Sequence, residues 1–306
     1  MVAVLLSLAA LVAARYALVR TLPPRFPAPV TGGAVPALGV NVALERYPDA
    51  ELDAVLARLS ADGFVWVRQT FYRQDIERSP GRFDWEASDR LMDALARHPR
   101  LWPIAVLDDR PDGRGLVSPP DPARFAAFAG AFAARYGAVV DVYQVWDEPN
   151  LASHWGGGPV SPPAYVDLLS QAAQAIRASD RETALPSWAA AEMEAAHPGT
   201  VILLAGLAPT VETGPDNLSD ARYLAEIYRS GGRPYFDIAV GKPYGFYSGP
   251  DDRRVDEGVL NFSRLLLLRE VMVANGDAGR ALWAGHWGWN ALPPDWTGPP
   301  SLWGQC

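Results

Sequence analysis

The chain has 306 residues, 49% hydrophobic and 20% charged, a composition typical of one folded domain with a sizeable core. Its net charge is −8 and its basic residues are dispersed, which argues against a nucleic-acid partner, because such binding requires clustered cations. The single cysteine, Cys306, excludes a disulfide framework within the chain.

The N-terminal residues are interpreted separately from the fold. Residues 2–14 are apolar or small, and Arg15 and Arg20 follow them. The run is shorter than the roughly 20 residues that cross a bilayer, and it lacks the positive start of a secretory signal. Residues 1–20 are therefore predicted to be a membrane anchor, a signal-like segment or the end of a longer membrane segment, with a plain core helix as the alternative. An anchor or signal predicts a folded part that is membrane-anchored or secreted and lies outside the cytoplasm. Residues 21–36 contain five prolines and are predicted to form a stiff linker.

From residue 37 onward, short apolar runs alternate with segments of helical periodicity. The predicted strands are 38–42, 64–69, 101–107, the run that opens 141–150, 201–205, 236–240 and 281–284. The predicted helices are 49–63, a segment from the turn at 81–85 to about residue 98, 122–136, 161–178, 218–230 and 255–273. Ser161 precedes two prolines, as expected of a helix cap. Residues 179–200 break the alternation and are interpreted as a partly helical insertion.

Strands that alternate with helices indicate parallel βαβ units. A glycine-rich turn after the first strand and a P-loop are both absent, which argues against a nucleotide-binding fold. The best fit is an α/β fold, a (β/α)8 TIM barrel over residues 37–306. The few residues after 284 are rich in Pro, Gly and Trp. The barrel is therefore predicted to be truncated and to lack its last βα unit, with a strand count that is wrong by one as the alternative.

The stretch Asp141–Asn150 contains the strongest candidate for chemistry. It begins as a β-branched apolar run and ends in Asp147, Glu148, a proline and an amide. In a parallel barrel, the C-terminal ends of the strands carry the active site. Glu148 is therefore predicted to lie at the barrel mouth.

The order of these segments resembles clan A glycoside hydrolases, most closely the family 39-like and cellulase-like members. Val145–Leu151, followed by Trp155, is similar to the Trp-Asn-Glu-Pro-Asn sequence of those enzymes, in which the Glu is the general acid/base. The segments 68–85, 237–244 and 283–289 are similar to their second, sixth and seventh strands. The resemblance implies that Glu148 is the general acid/base for an O-glycosidic bond of an oligo- or polysaccharide.

Three positions depart from the family pattern. His286 occupies the position of the nucleophilic Glu, Asp147 that of the Asn before the acid/base, and Lys242 that of a His. A retaining glycosidase needs two carboxyl groups about 5–5.5 Å apart, and an inverting one needs them about 6.5–9.5 Å apart. His286 is kept as a second catalytic candidate, as a neutral sugar-binding group or a proton carrier. Other candidates for the second acid are Asp108 and Asp109, which end the third predicted strand, and Glu212, which follows the fifth.

The predicted substrate-binding residues lie at strand ends or in Trp-rich segments. They are Asn41, Arg68, Asp109, Trp146, Asp147, Asn150, Trp155, Lys242, Tyr244, Trp287 and Trp289. Five of the eleven tryptophans follow residue 282, and this clustering favours sugar platforms because aromatic rings can face the apolar sides of sugar rings; core packing is the alternative. A buried ion pair is the alternative for Arg68. The histidines show no metal-ligand spacing, and no metal or redox cofactor is predicted.

Two functions are compatible with these features. The first is a glycoside hydrolase-like protein that uses Glu148 as acid/base. The alternative is a catalytically inactive glycan-binding barrel or an extracellular module of a larger membrane protein. A carboxylate facing Glu148 would distinguish them, since both hydrolytic mechanisms require one.

Overall fold

The computed structural model describes residues 38–111, 120–179, 199–246, 248–249 and 251–289. The predicted N-terminal segment and linker and almost all of the predicted insertion lie outside these residues, so they stay predictions. Among the described residues, no helix has the length and apolar character needed to cross a bilayer.

Strands and helices alternate along the described chain. The first half contains β1 Gly39–Val42, α1 Asp49–Ala61, β2 Trp66–Tyr72, the helical turn α2 Arg73–Ile76, β3 Glu77–Ser79, β4 Arg82–Phe83, α3 Glu86–Ala96 and β5 Trp102–Asp108. The second half contains α4 Pro122–Tyr136, β6 Val142–Val145, α5 Pro162–Ala178, β7 Val201–Leu203, α6 Asp220–Arg229, β8 Ala239–Gly241, α7 Leu265–Ala274 and β9 Leu282–Ala284. Each of the seven predicted strands is present, with bounds that differ by a few residues.

The strands are arranged as in a TIM barrel. Five parallel strands follow the order β1-β2-β5-β6-β7, and β8 pairs with β9, also in parallel. Parallel bridges from Leu203 to Ile238 and from Leu207 to Gly241 join β7 and the residues after it to β8 and the residue before it. A side-chain contact links the first and last of these strands. The amide of Asn41 in β1 donates a hydrogen bond to the carbonyl of Gly285, which directly follows β9 (3.2 Å). The predicted truncation stays a prediction, because residues 290–306 lie outside the described chain.

Apolar side chains fill both sides of the strand layer. A cluster inside the ring joins residues from five strands or their ends: Trp66, Ile104, Val142, Val201, Leu203, Ile238 and Val240. On the outside, α4 buries Phe125, Phe128 and Phe132, which recur at helical spacing. All four residues of β6 are buried, as expected for a parallel strand covered on both faces. The strand that leads to Glu148 is therefore rigidly packed.

Polar caps mark where two of the outer helices begin. Asp121 accepts hydrogen bonds from the backbone N–H groups of Ala123 and Arg124, and Ser161 accepts one from Ala164, which confirms its predicted cap. The prediction of one helix over 255–273 is wrong, because α7 begins only at Leu265, after a 3-10 turn.

The segment before α7 contains side chains that bond to nearby backbone and so compete with a helix. The carboxylate of Asp256 accepts from the backbone N–H of Gly258, and the amide of Asn261 donates to the carbonyl of Arg254.

Candidate active site

The backbone at the end of β6 directs two acids into the barrel mouth. Trp146 and Glu148 have left-handed conformations, with φ of 70° and 52°. Such a conformation costs about 1–3 kcal/mol in a non-glycine residue and persists only where the surroundings enforce it. Here both neighbouring strands do so: the N–H of Trp146 donates to the carbonyl of Leu107 (2.8 Å), and the N–H of Glu148 donates to that of Gly206 (3.1 Å).

Lys242, which follows β8, connects the two acids. Its Nζ lies 2.7 Å from Oδ2 of Asp147 and 2.8 Å from Oε1 of Glu148. The side chain of Lys242 is 3% exposed, and those of Asp147 and Glu148 are 16% and 14% exposed. One buried ammonium therefore joins carboxylates from two consecutive residues.

The second carboxylate oxygen of Glu148 faces a histidine. Nε2 of His154 lies 3.2 Å from Oε2 of Glu148. The 3-10 turn Ala152–His154 that carries this ring is anchored by the indole N–H of Trp146, which donates to the carbonyl of His154 (3.0 Å). Both oxygens of Glu148 are thus engaged.

Arg68, in β2, binds the other carboxylate oxygen of Asp147 and completes a charged network of Arg68, Asp147, Glu148 and Lys242. It lies 3.0 Å from Oδ1 of Asp147 and also donates to the side-chain carbonyls of Asn41 (2.9 Å) and Gln144 (3.0 Å). Gln144 in turn donates from Nε2 to Asp147 (3.0 Å). Burial opposes the charge of Asp147, but Lys242 and Arg68 outweigh it and hold the pKa of this carboxyl well below its usual range.

The slender side chain of Lys242 fits because of Gly206. A Cβ at Gly206 would lie 2.8 Å from Cε of Lys242 and 2.9 Å from Oδ1 of Asp147. Lys242 is also the only lysine in the sequence, in which every other Lys or Arg position holds arginine. The site therefore uses a compact ammonium in a space bounded by a residue without a side chain.

At the position where the resemblance expects a nucleophile, the structure has a hydrogen-bonded pair of ring side chains. Nδ1 of His286 lies 2.8 Å from Oη of Tyr244. Burial, and then the charges of Lys242 and Arg68, lower the pKa of His286 to about 4. Burial, and then Glu148 and Asp147, raise the pKa of Tyr244. Both groups are therefore neutral near pH 7, and a neutral imidazole lacks the negative charge that stabilises a cationic sugar centre.

The other predicted acids differ in their surroundings. Asp109 forms two short hydrogen bonds with Arg73 of α2 (2.8 and 2.6 Å), so the structure does not group it with Glu148. Glu212 accepts from the amide of Asn217 at both oxygens (3.0 Å).

Asp108 is a candidate acid whose surroundings strongly favour a protonated carboxyl group. Burial, and then the charges of Asp147 and Asp109, raise its pKa well above the usual range. It is thus electrostatically coupled to the Asp147 network.

The predicted aromatic platforms divide into exposed and buried groups. Trp287 is 48% exposed and packs edge-on against Phe262 and Trp289, whose indole N–H donates to the carbonyl of Ser248. By contrast, Trp155 is 1% exposed and packs against Trp146, which is fully buried. Trp287 therefore retains surface for a ligand.

Three predicted substrate-binding residues lie in the core beneath the mouth: Trp146, Asn150 and Trp155. Asn150 is fully buried and its amide donates to the carbonyls of Ala208 and Leu218. Their burial leaves no surface for a sugar and gives them a supporting position under Glu148.

A cleft of about 540 Å³ opens between β1 and β9 beside this network. Its polar lining is Asn41, Arg68, Gln144 and His286, and its apolar lining includes Trp283 and Trp287. Volumes of roughly 300–1,000 Å³ with a few polar groups among apolar walls are typical of small-molecule sites.

Three residues of the network were not identified from the sequence. Gln144 is hidden within an apolar strand, and Gly206 shows no signal of its own. His154 follows Glu148 by six residues, and this short spacing is the signal in the sequence that could have indicated the contact. Among the described residues, no group of three or more metal-ligating side chains is present.

Comparison with known proteins identifies the fold. No family model and no curated protein matches the sequence. A family 39 glycoside hydrolase from Bacteroides cellulosilyticus WH2 has a similar structure, with a TM-score of 0.52 and 15% identity over 83% of this chain and 48% of that enzyme. An endo-1,4-beta-mannanase from Rhizomucor miehei has a TM-score of 0.53 and 11% identity, over 87% of this chain and 80% of that enzyme. The structural neighbours are thus glycoside hydrolases of the clan A TIM-barrel fold, and this chain spans about half the length of the family 39 enzyme.

Proposed function

We propose that this chain binds an oligo- or polysaccharide at the mouth of a barrel that has the fold of clan A glycoside hydrolases, and that it does not cleave its ligand. The fold supports the location, because its strand ends form the functional face. One observation carries the proposal: both carboxylate oxygens of Glu148 are engaged, one by Lys242 and the other by His154. A general acid must instead present a proton to the glycosidic oxygen.

The surroundings of Asp147 support binding without cleavage. Its oxygens already accept from Arg68, Gln144 and Lys242, so it is poorly placed to attack a sugar carbon. The neutral ring of His286 offers no carboxylate in its place. A hydrolytic mechanism would need one of these groups to change partners.

Hydrolysis of an O-glycosidic bond, with Glu148 as general acid/base, is the second candidate. It is favoured by the closeness of two carboxylates at the barrel mouth, because Asp147 and Glu148 contact the same nitrogen, at 2.7 and 2.8 Å, and glycoside hydrolysis uses a pair of carboxyl groups. In this mechanism, substrate binding would displace Lys242 or His154 from Glu148. His286 would then act as a hydrogen-bonding partner of the sugar or as a proton carrier.

The two candidates differ in the effect of Glu148→Gln. We expect the wild-type protein to bind members of a neutral glycan array and to release no nitrophenol from a panel of aryl glycosides, with the same result for the variant. Hydrolysis by the wild type that Glu148→Gln abolishes would refute the binding-only proposal and support the second candidate.

The exposed indole of Trp287 provides the corresponding test of binding. Trp287→Ala should weaken glycan binding at least about tenfold, because aromatic faces cover the apolar face of sugar rings. Val273→Ala, a truncation of an exposed side chain on α7, is the matched control and should leave binding unchanged. Equal affinities for both variants would count against a ligand at this mouth.

We further propose that residues 1–20 attach the protein to a membrane or direct its export, so that the barrel lies outside the cytoplasm. The apolar run and the proline-rich segment after it support this location. Fractionation of cells that express the full chain, with protease added from outside, tests it. A barrel protected in intact cells and released in the soluble fraction would contradict it.

A further inference from the structure

The charges at the barrel mouth compensate one another. Arg68 and Lys242 are the cations, Asp147 and Glu148 are the anions, and each has an opposite charge within 3.0 Å. All four side chains are at most 16% exposed. Within the described chain, the mouth therefore presents charged groups that already have partners.

Other titratable groups around the network add little charge near neutral pH. His286 is neutral, since its pKa is lowered to about 4. Burial raises the pKa values of Asp108 and Tyr244, which favours their uncharged forms. His154 is the remaining group that faces Glu148, and its side chain is 27% exposed.

Two accessible groups beside the network are uncharged. Asn41 is exposed at the cleft, and Trp287 is 48% exposed beside it. An amide and an indole face suit the hydroxyl groups and apolar faces of sugar rings.

We propose that this mouth selects uncharged glycans and discriminates against both uronic acids and amino sugars, an inference that rests on the glycan binding proposed above. A charged ligand loses water on entering the cleft, and an uncompensated opposite charge would offset that loss. Arg68, the charged residue in the cleft lining, is already paired with Asp147. The mouth offers neither sign in excess. A neutral hydroxyl group has no such requirement.

Matched oligosaccharides provide the test. We would use triplets of tetrasaccharides on glucose, galactose and mannose backbones that differ only at C6, where they carry a hydroxyl, a carboxylate or an ammonium group. All titrations use the same buffer at about pH 7.5, where free sugar carboxylate groups are charged. In at least one triplet, the wild-type protein should bind the hydroxyl member at least about tenfold more tightly than either charged member.

Two variants should shift the preference in opposite directions. Lys242→Met removes a cation and leaves an excess of negative charge, so the ammonium member should gain affinity relative to the hydroxyl member. Glu148→Gln removes an anion, so the carboxylate member should gain instead. Asp53→Asn, which removes an exposed surface carboxylate paired with Arg97 and His98, should change neither preference. Glu148→Gln nearly preserves shape and keeps the test valid if Lys242→Met does not fold.

The outcomes separate this inference from the proposed function. Tighter wild-type binding of a charged member, equal binding within every triplet, or shifts of the same sign in both variants would overturn charge selection while leaving glycan binding intact. Binding of no member of any triplet would overturn both proposals. Opposite shifts in the two variants, with the hydroxyl member preferred by the wild type, would support the inference.

Discussion

Asp147, Glu148 and Lys242 form a unit in which each charge depends on the others. A buried ion pair adds little net stability, because the loss of water opposes the attraction between the charges. Removal of one partner is much more costly, at roughly 3–5 kcal/mol, because an uncompensated charge stays buried. This asymmetry makes the network sensitive to small changes in the residues around it.

Gly206 is one such residue. Gly206→Ala should displace Lys242 and Asp147, because the new Cβ would lie 2.8–2.9 Å from their side chains. We expect a loss of roughly 1–3 kcal/mol in the free energy of unfolding, measured by urea denaturation. Gly279→Ala is the matched control, since its Cβ would meet no atom within 4 Å. Equal stabilities of the two variants would show that the network tolerates the displacement.

His286 should make the stability of the protein depend on pH. Its pKa is about 4 in the folded protein and about 6.5 when unfolded, so the unfolded chain binds more protons between these values. The free energy of unfolding should therefore fall as the pH drops from about 6.5 to 4, by about 1–2 kcal/mol, less than the whole shift would give because the ring is partly exposed to solvent. His286→Gln removes this contribution. Parallel stability curves for wild type and variant across this window would contradict the prediction.

At the scale of secondary structure, β6 and the turn after it position the site. The strand is buried throughout, and its end is fixed by hydrogen bonds to β5 and to Gly206, which follows β7. The turn at residues 152–154 then returns His154 toward Glu148. The chemistry is thus set by one strand end and the loop that follows it, while the outer helices supply stability.

Helix α4 can test whether an outer helix contributes to stability without influencing the site. Asp121→Ala removes the cap that accepts from Ala123 and Arg124 and should cost about 1 kcal/mol of unfolding free energy. Glycan binding should be unchanged, because α4 packs on the outside of the strand layer. Thermal and chemical denaturation, together with the glycan titration, measure both effects. Lost binding in a folded Asp121→Ala protein would show that α4 influences the mouth.

At the scale of the whole molecule, the parallel strands determine which distant residues meet. The described strands β1, β2, β5, β6, β7, β8 and β9 follow chain order around the ring, so their ends converge. Arg68 and Asp147 are 79 residues apart in sequence, and Lys242 and Glu148 are 94 apart. Those contacts result from the barrel and have no local counterpart in the sequence.

The sequence by itself determined the alternation of strands and helices, because apolar periodicity is a local property of the chain. It also placed Glu148, Lys242 and His286 at strand ends, since each lies two residues after an apolar run. It failed over residues 255–264, where the side chains of Asp256 and Asn261 favour turns over the predicted helix.

Only the tertiary structure decided what these residues contact. Burial separated Trp155 from Trp287, although both are tryptophans in similar segments. The pairing of Glu148 with Lys242 and His154 could not be predicted, because the energy of a charge depends on distances across the barrel and on the water excluded there. Local pattern therefore determined the scaffold, and the convergence of strand ends determined the charge balance of the site.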